Sequence, residues 1–99
     1  MRYENETIGA AFDIADKFTV REQLAFRSRI AEAAGESAFV RYWQAALTVV
    51  TNWQCDALPD PAALDLDNES DGRLADLVQW TANTVAGHMQ GLETPGKNS

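Results

Sequence analysis

Apolar residues recur along most of this chain at helical spacing, broken by two strong stops. Phe39, Trp43, Ala46, Val50 and Trp53 follow one another at steps of four, three, four and three, which stacks them along one side of a helix, while Tyr42, Leu47 and Val49 widen the stripe. With Ser37 as its cap, this pattern predicts a helix to about residue 55. The Leu58-Pro59-Asp60-Pro61 run then ends it, because each proline lacks an amide donor and restricts its predecessor. An earlier helix over residues 20–34 is announced by Thr19-Val20-Arg21-Glu22, the spacing of a capping box. Its apolar face is read as Val20, Leu24, Ala31 and Ala34, widened by Phe26 and Ile30, and Gly35 suits the residue just past its end.

A third helix starts after Ser70 or Asp71 and reaches about residue 90. Leu74, Leu77, Val78, Thr81, Val85, Met89 and Leu92 form its inward stripe, with Trp80 beside it. Gly87 and Gly91 lower its helix propensity. The first 18 residues hold no sustained periodicity and read as an irregular arm that docks apolar residues, with strand or short helix both open. The expected fold is therefore all-α: a small bundle of three helices, an irregular N-terminal arm at 1–18, one helical domain at 19–92 that includes an acidic loop at 56–72, and a loose tail at 93–99.

Ninety-nine residues make one small domain near the low end of burial, so its stability rests on one shared core or on a partner. The chain carries eight basic and fifteen acidic residues, a formal charge of −7. Residues 1–50 hold six basic and seven acidic side chains and residues 51–99 two and eight, so the excess is concentrated late. That balance opposes direct binding to nucleic acid, which needs Lys and Arg to displace phosphate counterions. The acidic start and the lack of a long apolar run give neither a secretory signal nor a membrane span, and a cytoplasmic location is expected.

Chemistry is sparse. Cys55 is the lone cysteine, so no internal disulfide or cysteine-rich zinc site forms, and it reads as a packing residue. Asp67-Asn68-Glu69-Ser70-Asp71-Gly72 opens like a calcium loop, but the twelfth position is Val78 where a bidentate glutamate is needed. His88 has no nearby partner set and suits an interaction with the last helix carbonyls. Without a nucleophile elbow or a phosphate-cradling loop, the expectation is a non-enzymatic protein with no cofactor and no metal. Its candidate partner-binding residues are Phe39, Tyr42, Trp43 and Trp80, aromatics that give an interface much contact area at low entropy cost. Core packing is the competing role, favoured by helical spacing for Trp43 and Trp53, while Tyr42 and Trp80 lie nearer the margins of their stripes. Self-association between the more basic first half and the acidic second half would make a homo-oligomer.

Several strings resemble the small tail assembly chaperones of long-tailed bacteriophages: Phe18-Thr19-Val20-Arg21-Glu22-Gln23-Leu24, Tyr42-Trp43 followed by Trp53-Gln54-Cys55, the Leu58-Pro59-Asp60 turn with its acidic continuation, and Trp80, His88, Leu92 and Pro95-Gly96-Lys97-Asn98. The resemblance implies a host-cytoplasmic factor that binds the long helical tape-measure protein while tail-tube subunits assemble around it. A second class of function is an acidic inhibitor or nucleic-acid mimic that occupies a basic host nuclease through Asp56, Asp60, Asp65, Asp67, Glu69, Asp71 and Asp76. A third is a structural adaptor subunit.

Overall fold

Alternation at the N-terminus, too short to register as periodicity, builds a sheet. The computed structural model describes residues 1–93, in which β1 (Arg2–Asn5), β2 (Ala10–Ile14) and β3 (Val50–Cys55) form an antiparallel sheet in the order β1-β2-β3. Helices α1 (Val20–Glu32), α2 (Ala38–Ala46) and α3 (Gly72–Glu93) complete the fold. It is mixed α/β, and the expectation of an all-α bundle is overturned. Residues 94–99, and the expected inward role of the Leu92 side chain, lie outside what is described.

The N-terminal segment, expected as an irregular arm, is a strand hairpin. Residues 6–9 close a β1–β2 hairpin in which Gly9 at φ +73° donates its amide to the Asn5 carbonyl at 2.8 Å, a backbone region glycine enters at least cost. Along β2, Ala10, Phe12 and Ile14 are buried while Ala11 and Asp13 are partly exposed, so one face meets the core and the other meets water.

The second helix is shorter than the expected run to about residue 55. It stops at Ala46, and Thr48 turns its hydroxyl onto the Ala45 carbonyl at 2.6 Å. Thr48-Val49-Val50-Thr51 is a β-branched run, which favours strand over helix. Register explains why the helical spacing was persuasive. Ala11 pairs with Gln54 and Asp13 with Thr51, so Asn52 and Trp53 together oppose Phe12 as a bulge. The extra residue puts Val50 and Trp53, three apart, on the same face. Asn52 sits at φ +52°, a conformation asparagine tolerates better than most residues.

The inner face of the sheet packs against α3. Phe12 and Ile14 are fully buried with Phe26, Ala45, Ala46, Val85 and Met89, and Ala10 and Cys55 join Trp43, Leu58, Leu74, Leu77 and Val78. Phe12 stacks on Trp53 with ring centroids 6.0 Å apart and tilts against Trp80 at 5.1 Å. Trp53 also meets Trp43 edge-on at 5.8 Å and donates its indole N–H to the Leu58 carbonyl at 2.8 Å. This aromatic layer joins sheet to helices, and burying its large apolar surface favours the fold. Thr81 is fully buried on α3, and its hydroxyl has no hydrogen-bond partner among the described residues.

The opposite face of the sheet is polar. Arg2 donates to Glu4 at 3.2 Å, Asp13 at 3.3 Å and Gln54 at 2.7 Å, and Asn52 donates to the other oxygen of Asp13 at 2.8 Å. The capping box at α1 forms as read, with Glu22 donating its amide to the Thr19 hydroxyl at 3.1 Å and its carboxylate accepting from the Thr19 amide at 2.9 Å.

Candidate functional site

On α2, the cap at Ser37 accepts from the Val40 amide at 3.4 Å and starts the helix so that Phe39 falls on its outer edge, 43% exposed. The acidic connection folds back over the start of α3. Asp60 accepts from the Ala62 amide at 3.0 Å and so begins a short 3₁₀ turn at Pro61–Ala63. Asp65 accepts from the Asp67 amide at 3.1 Å and the Asn68 amide group at 2.6 Å. These two turns hold Leu64 half-buried and leave Leu66 39% exposed. Asp71 accepts from the Arg73 amide at 2.9 Å and from its guanidinium at 2.8 Å, which caps α3.

Leu64, Leu66 and Phe39 thereby close around Leu74, Ala75 and Val78 to leave a hollow of about 370 Å³, with Glu69, Ser70, Asp71 and Gln79 on its rim. It does not end there. A second hollow of about 200 Å³ shares Phe39 with the first and adds Tyr42, Ala82, Asn83, Ala86 and Gln90. A third, of about 270 Å³, shares Tyr42, Ala86 and Gln90 and continues to Phe26, Arg27 and Ile30. Linked through these shared residues, the three hollows mark out a furrow along α3, bordered in turn by the acidic loop, α2 and α1. From Ala75 to Gln90 it follows roughly 22 Å of α3, the length of about four helical turns.

Charge varies along the furrow. At one end stand Glu69 and Asp71, with Asp65 and Asp67 nearby in sequence; at the other stands Arg27. The Asn68 hydrogen bond, reinforced by the Asp67 amide, holds the Asp65 carboxyl below the usual aspartate range, and the Arg73 hydrogen bonds do the same for Asp71. Both are ionised at neutral pH.

Four aromatics were expected to meet a partner, and the fold separates them. Phe39 and Tyr42 line the furrow. Trp43 is 2% exposed inside the core, and half-buried Trp80 packs on Phe12. The seven acidic candidates do not form one stripe. Asp60, Asp65 and Asp71 close local turns, Asp56 borders a separate hollow beside Gln54 and Cys55, and Asp67, Glu69 and Asp76 are exposed. Glu69 and Asp71 share the first hollow with Phe39, so part of the acidic set and part of the aromatic set belong to one place. Missing from the sequence reading were Ala75, Ala82 and Ala86, small residues seven and four apart whose lack of bulk makes the furrow floor. That spacing was available as a signal, but alanine reads as neutral packing.

Other chemical candidates are satisfied elsewhere. His88 donates from Nε2 to the Ala15 carbonyl at 2.9 Å, and its Nδ1 shares a hydrogen bond with the Tyr3 hydroxyl at 2.8 Å. It thus fastens α3 to the N-terminal hairpin, where the sequence suggested the helix's own carbonyls. Burial, aided by Asp16, raises the Tyr3 phenol above its ordinary value. Cys55 is buried and unpaired, and no group of three metal-ligating side chains comes together among the described residues. No helix among them is long and apolar enough to cross a membrane. Comparison with protein-family models, curated proteins and solved structures finds no match.

Proposed function

We propose that this protein is a non-enzymatic assembly chaperone that seats a helical segment of a long client, the tape-measure protein of a bacteriophage tail, in the furrow along α3. The observation that carries the reading is the furrow itself: the small residues Ala75, Ala82 and Ala86 leave it open, Phe39, Leu66 and Tyr42 give it apolar walls, it is about four helical turns long, and it is acidic at one end. An amphipathic helix presents anchors at steps of three and four residues. Phe39, Leu66, Ala75, Tyr42 and Ala86 offer them successive seats. Glu69 and Asp71 favour a client helix with basic residues toward that end, which fixes its direction. Such contacts are modest individually, so a long client recruits many copies and releases each when tube protein competes.

The test is capture of tagged protein from phage-producing cells, with wild type beside Ala75→Glu and Phe39→Ala. A long helical tail protein should be retained by wild type through high salt and lost from Ala75→Glu, which fills the floor with a charge. Phe39→Ala should weaken its retention about tenfold or more, the loss typical of a central anchor. Capture of a basic nuclease that high salt releases would overturn this reading in favour of a nucleic-acid mimic. A fixed complex that tube protein does not displace would overturn it in favour of a structural adaptor.

A further inference from the structure

Helix α1 carries two apolar faces, and only one is used within the chain. Phe26, 3% exposed, points inward with half-buried Ile30, and its ring meets Tyr42 at 6.4 Å. The opposite side leaves Val20 73% and Leu24 52% exposed. With Arg21, Ala25 and Ser28 they border an open hollow of about 560 Å³. Two rows of exposed residues run along this side at the four-three-four spacing that stacks side chains on a helix. One is Val20, Leu24, Arg27 and Ala31; the other is Arg21, Ala25, Ser28 and Glu32.

The second row is complementary to itself. It reads positive, small, small, negative, and its spacing is the same in either direction. Two copies related by a two-fold axis, with their α1 helices antiparallel, lay each row against the same row reversed. Arg21 then faces Glu32 of the second copy, and Ala25 faces Ser28, each pair occurring twice. In that register Leu24 drops between Arg27 and Ala31 of the second copy. The small residues let the two backbones approach closely, while Leu24 and Val20 lose their exposure to water.

We propose that the outward face of α1 is the contact surface for a second copy of this chain, paired antiparallel about a two-fold axis and locked by reciprocal Arg21–Glu32 ion pairs. Within one copy Glu32 already accepts from Arg29 at 3.0 Å while 64% exposed, so in the dimer it sits between two guanidinium groups. A thirteen-residue helix is about 20 Å long. Its face is smaller than the roughly 800 Å² per partner of a standard interface. The dimer is therefore weak and concentration-dependent. Its existence does not depend on what occupies the furrow, although pairing would place two furrows on one particle.

Sedimentation velocity over a concentration series tests this with Arg21→Glu, Glu32→Arg, the double exchange, and an equimolar mixture of the two single variants. Wild type should shift from monomer to dimer as concentration rises. Each single reversal turns both inter-copy pairs repulsive and should weaken dimerisation about tenfold or more. The double exchange and the mixture restore opposite charges and should recover it. Each reversal also suits its end of the helix dipole, and circular dichroism at equal signal shows that the variants fold. A wild type that stays monomeric at every concentration would overturn the proposal. So would a dimer that ignores the single reversals, or one that neither the double exchange nor the mixture restores.

Discussion

Helices α3 and α1 look alike as patterns and differ as objects. The stripe read on α3, with Leu74, Leu77, Val78, Thr81, Val85 and Met89, is buried throughout. On α1 the stripe assembled from Val20, Leu24, Ala31 and Ala34 faces water, and the residues expected only to widen it, Phe26 and Ile30, make the contact with the domain. Amphipathic spacing shows that a helix has an apolar face. It does not say what covers that face. For α3 the cover is the chain's own sheet and helix α2, whereas for α1 it is the proposed second copy.

Truncation separates the two helices most sharply. Leu77→Ala on α3, or Phe12→Ala in the sheet beneath it, opens a cavity in a fully buried site and should cost about 3 to 5 kcal/mol in chemical denaturation. Tyr3→Phe removes one of the two hydrogen bonds through which His88 ties the far part of α3 to the N-terminal hairpin, and should cost about 1 kcal/mol by the same measurement. Thr81→Val should act in the other direction. It replaces a buried hydroxyl lacking a partner with a methyl of similar size and should stabilise by about 1 kcal/mol; a loss instead would show that the hydroxyl is satisfied. Leu24→Ala in dilute solution should change monomer stability by less than about 0.5 kcal/mol. A core-sized loss there would break the contrast between α1 and α3.

Acid should reach the periphery before the α3 core. The folded-state pKa of Asp13 is lowered first by its Asn52 hydrogen bond and then by Arg2, and that of Glu22 by the Thr19 amide and hydroxyl. A lowered carboxyl favours the fold above its unfolded-chain value, and that contribution is lost as pH falls through the lower folded value. Denaturation midpoints should therefore drop as pH falls below the ordinary aspartate value of 3.8. Asp13→Asn should flatten the curve slightly. An unchanged profile would show that the polar face of the sheet adds nothing through Asp13.

Legibility in the sequence followed the range of each interaction. The capping box at Thr19, the cap at Asp71 and the α3 stripe are local devices, and each is found where the residues place it. What failed was non-local. Ala10, Phe12 and Ile14 give only three alternating positions, whose strand character is completed by pairing with β3 some forty residues later. The bulge at Asn52 and Trp53 made a strand imitate helical spacing, and the β-branched run at 48–51 was the contrary signal. In the candidate site, Phe39 and the acidic loop were each visible, but only the fold of residues 60–71 brings Leu64, Leu66, Glu69 and Asp71 to the same hollow as Phe39. Alanine spacing along α3 carried the rest of the furrow.

In the proposed function the furrow holds its client through apolar contact, with charge setting direction. Client retention at high salt is compared for two variants: Ala75→Glu, which obstructs the floor, and Asp67→Asn/Glu69→Gln, which removes the Glu69 charge from the rim and the Asp67 charge beside it while leaving the Asp71 cap intact. Ala75→Glu should lose the tape-measure protein while the charge-reduced chain keeps it. Retention by Ala75→Glu together with loss from the charge-reduced chain would contradict the proposed function and move the binding site to the acidic loop.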